Sequence, residues 1–450
     1  MNRLFLLAAA ACSPAVQLDA PDLPPPAGLV LEASSALPGE PLVLTVTGAV
    51  PGDEVFFGVG EGGPGPCLGG GVCLDVDVRR LLGSVFADPA GEATLVTPPF
   101  PDILAGLPLG IVAAVPGATP KASQAVTRFV GSTYATVDAT AGPVGPGGPD
   151  PAAWTYFSFD DGVVTPASPG ADPGWDLSFQ RTWIGLNGGV SGGGATEVAR
   201  ATVGWNRTDE AADAGPFGTD LADADGDGVP ELAMLDWFDY DVATHTLQSD
   251  GDVWVVHTTD DRYAKLQMVD YYSATGVSGT PTFRWEWIAG AVTQSSVDAT
   301  AGSAGPVPDD AAWVYLDLAT GARVSPADPA DDDGWDLALQ RTHVATNGGT
   351  TGTGGVMVAY GGDVFRDASP NGAAWLADDG TDAVSASSPA GRWYDYDPTS
   401  HTVSARDDVF LVRATDGRTY RVQFLDYYDG AGVSGHVELR WQPVPDASAP

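Results

Sequence analysis

An all-β protein is the fold class this 450-residue sequence predicts, on three observations. Its 58 glycines and 37 prolines favour short strands joined by many turns over long helices. Apolar residues recur with period two, and no segment carries a helical apolar period through three turns. The last two thirds of the chain also spell one set of strand and turn motifs twice. The architecture expected is an immunoglobulin-like β-sandwich followed by two tandem copies of a second β-domain, and the length suits about three domains of ~150 residues.

Residues 1–11, MNRLFLLAAAA, carry one early cation, Arg3, and then an apolar run. That run is too short to span a bilayer and fits the core of a secretion signal peptide. Cys12 follows directly, where a bacterial lipoprotein is cleaved and lipidated; the other reading is an ordinary signal peptide with an incidental cysteine. Residues 12–26 then form a lipidated, Pro-rich linker, a stiff spacer off the membrane. The expected location is the cell envelope, at the outer membrane or cell surface, with the membrane met through the lipid anchor only. A formal net charge of -39 repels phosphate backbones and excludes nucleic acid as a partner.

Residues 27–131 alternate β-rich runs with PGE and PGD turns, as in LVLEASSALPGEPLVLTVTGAVPGDEVFFGVG, and predict the immunoglobulin-like sandwich. Cys67 and Cys73 lie in GPGPCLGGGVCLDV, where a Gly-rich loop lets their Cβ atoms approach. In an oxidising envelope they are expected to form a disulfide, and closing so small a loop stabilises by ~2 kcal/mol. A two-thiol metal site is the other reading, and it lacks a third ligand nearby.

Residues 132–290 and 291–447 are the two copies. VDATAG occurs at Val137 and at Val297; WDLSFQRTWIGLNGG at Trp175 answers WDLALQRTHVATNGG at Trp335. WFDYDVATHTL matches WYDYDPTSHTV, and YAKLQMVDYYSATGVSG matches TYRVQFLDYYDGAGVSG. Ala264, Leu266 and Met268 share one strand face, as do Tyr420, Val422 and Phe424; Lys265, Gln267, Arg421 and Gln423 point the other way. This alternation predicts strands with a single buried face.

The ordered set, W-Y-F/L, WDL with QRT and NGG, YD with a later His, DYY with GxSG, and a closing RW strand, resembles the HmuY family of bacterial envelope lipoproteins. The resemblance spans both repeats. It implies all-β domains and haem binding in iron acquisition, so haem or another small planar ligand is the implied cofactor.

Haem iron takes imidazole or thioether ligands. Copy two offers His343, His401, His436 and Met357; copy one offers His245, His257, Met234 and Met268. Only His245 and His401 occupy matching places, and a turn-capping role suits them as well as iron does. Met268 matches Phe424 and reads as core filler. His343, where copy one has Trp183, and His436 are therefore the axial candidates. The alternating pattern places His343 on one face with Arg341 and Leu339. Arg181 and Arg341 read as internal ion pairs with Asp176 and Asp336. The tryptophans read as core, with an aromatic cleft as the alternative.

DADGDGVPE resembles the first half of a calcium loop: Asp223, Asp225 and Asp227 at alternate positions, then the Val229 carbonyl and Glu231. The bidentate Glu expected at the twelfth position is Met234, and an acidic surface turn is the other reading. No nucleophile elbow, HExxH, phosphate loop or Cys–His pair occurs, so an enzyme is not expected. The function expected is that of an exported lipoprotein with tandem ligand-binding HmuY-like domains, haem being the ligand. The alternative is a structural or adhesive envelope protein that binds proteins or polysaccharide.

Overall fold

The computed structural model describes residues 22–23, 28–99, 107–143, 149–223, 226, 230–303, 307–309, 312–380 and 382–445. The signal segment 1–11, Cys12 and all of the 12–26 linker except Asp22 and Leu23 lie outside them, as do Asp225, Asp227 and Val229. No helix of the described residues is long and apolar enough to cross a membrane. Their one α-helix is the five-residue turn Ala383–Ser387, so the chain is all-β.

Contacts divide the chain into two units, Met1–Asp209 with Asp213–Trp287, and Glu210–Ala212 with Ile288–Pro450. The first begins with a sandwich of two antiparallel sheets. One joins Val30–Ala33, Pro41–Thr47 and Ala93–Pro99; the other is built on Glu54–Gly62, Val76–Phe86, Pro108–Val115 and Val126–Phe129. Leu44, Val46, Val55, Phe57 and Ile111 meet between them, each from the inward set of an alternating strand. The short hairpin Cys67–Gly69 and Val72–Cys73 joins the two cysteines as a disulfide.

The same unit then contains the first repeat, again two sheets. Thr133–Thr136, Ser278–Ile288, Tyr263–Tyr272, Val253–His257 and Glu197–Arg200 form one, in that spatial order. Gly162–Val164, Thr155–Ser158, Leu177–Gln180 and Trp183–Leu186 form the other. Phe157, Leu177, Phe179 and Ile184 of the small sheet pack on Trp254, Leu266, Met268 and Phe283 of the large one. Phe179 and Phe283 stack with centroids 5.3 Å apart.

The second unit repeats this plan. Thr293–Asp298, Ser434–Val444, Thr419–Tyr428, Val409–Arg413 and Met357–Gly362 keep the order of the large sheet, and Leu376–Ala377 adds a sixth strand. Val314–Leu316, Arg323–Val324, Leu337–Gln340 and His343–Thr346 form the small sheet.

Three expectations are corrected. WDLALQRTHV is not one continuous strand: it is a hairpin turning at Arg341–Thr342, with Gln340 opposite His343. Arg341 (φ 50) and its counterpart Arg181 (φ 55) take the left-handed conformation that tight hairpin turns require. His343 therefore shares a face with Gln340 and not with Leu339. The arginines do not pair with the neighbouring aspartates either. The turn swings Arg181 toward the Ser278 carbonyl (3.2 Å) and Arg341 toward the Gly302 carbonyl (2.9 Å). Lastly, the large sheets bury both faces. Lys265 is only 5% exposed and Arg421 3%, because one-turn helices lay Trp205 over the first and Phe365 over the second. Lys265 is neutralised by Glu286 at 3.0 Å, as a buried cation must be.

Candidate ligand-binding site

The motifs spelled twice hold the small sheet in place. Asn187 Nδ2 donates to the carbonyls of Asp172 (2.9 Å) and Trp175 (2.7 Å), and its Oδ1 accepts from Gly194 N–H (3.0 Å). Asn347 makes the same three bonds to Asp332, Trp335 and Gly354. The glycine after each asparagine is needed for close approach: a Cβ on Gly188 would lie 2.2 Å from the Thr196 carbonyl oxygen. Trp237 and Trp393 donate their indole N–H groups to the carbonyls of Thr182 and Thr342, both at 2.9 Å, and so pin the hairpin turns.

Asp176 Oδ2 accepts from Phe159 N–H (3.0 Å), and Asp336 Oδ2 from Leu318 N–H (2.8 Å). Burial outweighs these bonds and pushes the Asp176 carboxyl up to about 6. His245 and His401 sit at left-handed turn positions and accept from, or donate to, Tyr240 and Tyr396 hydroxyls at 2.8 and 2.7 Å. They are turn residues.

Loops cover the second face of each small sheet. Gln180 holds residue 150 by two bonds, from Asp150 N–H (2.6 Å) and to its carbonyl (2.7 Å); Gln340 holds Asp309 in the same way. Asp220 accepts from Leu186 N–H (2.7 Å) and Ala233 N–H (2.9 Å), tying a second loop over the sheet. In copy two that position is taken by Asp378 and the helix Ala383–Ser387. Asp382 caps this helix and also accepts from Val344 N–H (3.3 Å); burial pushes its carboxyl up to about 6.

Between sheet and loops, copy one leaves a cleft of about 370 Å³, within the ~300–1,000 Å³ usual for small-molecule sites. Pro149, Pro151, Trp154 and Tyr156 supply its apolar walls, and Ser178 and Ser191 its polar groups. Trp183 lies on the same face, packed with Leu232 and Trp154, and its indole N–H is buried without a hydrogen-bond partner among the described residues. The sequence offered an aromatic cleft only as an alternative role for its tryptophans, of which Trp154 lines this one. The prolines and serines come from three separate segments that only the folded chain brings together.

His343 stands at the Trp183 position, on the loop-covered face of the small sheet. His436 is on the large sheet, out of phase with Val437, Leu439 and Trp441, which fill the core. Its Nε2 lies 3.9 Å from Asp429 Oδ2. The two imidazoles thus occupy outward faces of different sheets and do not form one ligand pair. Met234 and Met268 are buried in the core of copy one. Of the calcium-loop residues, Asp223 Oδ1 accepts from Gly226 N–H (2.6 Å) and Glu231 pairs by backbone with Leu221. No group of three His, Cys, Asp or Glu among the described residues is placed to hold a metal ion.

The family described as "HmuY protein" matches residues 150–285 and 309–441, more than half of the chain and one stretch in each repeat. The chain belongs to the HmuY family. Its HmuY repeats are similar to the apo HmuY analog TFO from Tannerella forsythia, 15% identical, over 35% of this chain and 97% of that one at a TM-score of 0.23. They are also similar to a Bacteroides vulgatus chain named a HmuY-like heme binding protein, 20% identical, over 34% and 90% at 0.24. A third is apo PinO from Porphyromonas gingivitis, 15% identical, over 35% and 98% at 0.23. No curated protein matches the chain. The residues common to both HmuY repeats are those that build the fold, whereas the position Trp183/His343, on the loop-covered face of the small sheet, differs.

Proposed function

We propose that this HmuY-family chain is an exported lipoprotein, anchored through Cys12, whose repeats bind a planar small molecule, with haem as the ligand of the second repeat. The observation that carries this reading is the family match over both repeats. His343 is the axial candidate on the loop-covered face of repeat two. His436, on the other sheet, is the alternative donor for a separately placed haem.

Titrating haem into the full chain should produce a Soret band that shifts in the His343→Ala variant and stays in place in His436→Ala. Absence of any spectral change at micromolar haem would overturn the proposal. For repeat one a different occupant is favoured, because the described lining of its cleft carries no His, Cys or Met. That lining suits an uncharged planar or sugar ring stacked on Trp154 and Tyr156, and supports the adhesive, polysaccharide-binding alternative there. Calcium remains a proposal for the Asp223–Glu231 loop, tested by melting in calcium and in EDTA; identical curves count against it.

A further inference from the structure

Two residues of the N-terminal linker, Asp22 and Leu23, are bound by the first repeat. Asp22 Oδ1 accepts from the backbone N–H and from the hydroxyl of Ser278, both at 2.8 Å. Leu23 N–H donates to the Gly276 carbonyl at 2.7 Å, and its side chain packs on the core of the repeat. These hydrogen bonds from Ser278, with the Arg181 charge behind them, hold the Asp22 carboxyl below the ordinary range. Gly276 is left-handed (φ 88), and a Cβ there would lie 2.6 Å from the Leu23 carbonyl oxygen. Only glycine admits the segment so closely.

Duplication copied the receiving surface but not the segment. Gly432 (φ 83), Ser434, Gly435 and Arg341 stand in repeat two where Gly276, Ser278, Gly279 and Arg181 stand in repeat one. The loops close alike: Ser273 N–H to Val277 carbonyl at 2.9 Å, and Asp429 N–H to Val433 carbonyl at 3.1 Å. Each guanidinium lies beside the glycine that follows the serine, although Arg181 donates to the Ser278 carbonyl and Arg341 to the Gly302 carbonyl. A Cβ on Gly279 would lie 2.8 Å from Arg181 Nη1, and one on Gly435 would lie 3.3 Å from Arg341 Nη1.

Cover is what differs. Gly276 and Ser278 are buried, whereas Gly432 is exposed and Ser434 half-buried. A Cβ on Gly432 would meet nothing within 4 Å among the described residues. Four positions of this loop differ in repeat two, and two of them bring in titratable side chains. Asp429 replaces Ser273, and His436, 3.9 Å from it, replaces Thr280, so the added negative charge faces an imidazole.

We propose that this face of repeat two is a docking site for an extended segment of a partner protein in which an aspartate is followed by an aliphatic residue. Asp22 and Leu23 are the pattern for that ligand. A second copy of the chain is the less suitable source, because its own Asp22 and Leu23 are already seated in its repeat one.

The test uses a labelled peptide of residues 20–26, APDLPPP, titrated into the full chain and followed by fluorescence anisotropy. Saturable one-site binding is expected. It should weaken about tenfold or more in Ser434→Ala, in Arg341→Gln, and with a peptide carrying Asn in place of its Asp. Ser278→Ala should leave the affinity unchanged. Ser434→Ala removes one half-exposed hydroxyl, so it keeps the test decisive even where Arg341→Gln fails to fold. No saturable binding, or binding lost in Ser278→Ala and kept in Ser434→Ala, would overturn the proposal. Self-association of the chain that disappears in Asp22→Asn would replace the partner protein by a second copy.

Discussion

Asp176 and Asp382 are carboxyls whose burial disfavours the charged form, and each is pushed up to about 6. In the unfolded chain an aspartate releases its proton near pH ~3.9, so between ~4 and ~6 the folded chain binds more protons than the unfolded one. Their contribution to stability is therefore present at about pH 4 and lost as pH rises through about 6. Melting temperature should fall over that interval, and Asp176→Asn should make the fall shallower; an unchanged slope would show that burial of this carboxyl is not its source. Asn187 is the second residue whose role is sharply defined. Asn187→Ala leaves two carbonyls and one N–H unsatisfied in a buried loop, and should cost ~2–3 kcal/mol, read as a lower urea midpoint. Both positions were legible as repeated letters, WD and NGG. Their hydrogen-bond partners, up to 83 positions away for Asp176, were not.

At the scale of elements, the hairpin around Arg181–Thr182 shows where pattern reading failed. Alternation runs through QRT without a Gly, Asn or Asp to mark a turn, so a single strand was the natural expectation. The turn survives with arginine at φ 55 because Trp237 caps the Thr182 carbonyl and the guanidinium reaches Ser278. Trp237→Phe loses that cap and leaves a cavity where the larger indole was, and should destabilise by ~2–3 kcal/mol in chemical denaturation. The Cys67–Cys73 disulfide, by contrast, was expected from the Gly-rich loop between the cysteines and from an exported chain. Replacing both cysteines by serine should lower the stability of the N-terminal sandwich by ~2 kcal/mol, checked by urea unfolding with and without reductant. The second buried face of the large sheets was hidden, because Trp205 and Phe365 lie in one-turn helices that follow the strands Glu197–Arg200 and Met357–Gly362 and fold back over Lys265 and Arg421, more than 50 positions further along the chain.

For the whole molecule, the charge balance matters most. A net charge of -39 makes the surface repel itself, and salt screens that repulsion beyond about 10 Å at 0.1 M. Raising sodium chloride from about 0.02 to 0.3 M should raise the melting temperature, and a fall would mean that ion pairs such as Lys265–Glu286 outweigh the repulsion. Duplication itself was plain in the letters, as were the strand class and the family kinship, since each rests on local alternation and on motifs that recur in order. The tertiary structure alone decided that Arg181 and Arg341 bond to distant carbonyls, that His343 and His436 face apart, and that a cleft gathers Pro149, Tyr156 and Ser191. It alone seated Asp22 and Leu23 on a loop more than 250 positions along the chain. The reason is physical: periodicity specifies which way a side chain points along its own strand, but contacts between remote segments are set by how sheets, turns and loops pack, and no local pattern encodes that.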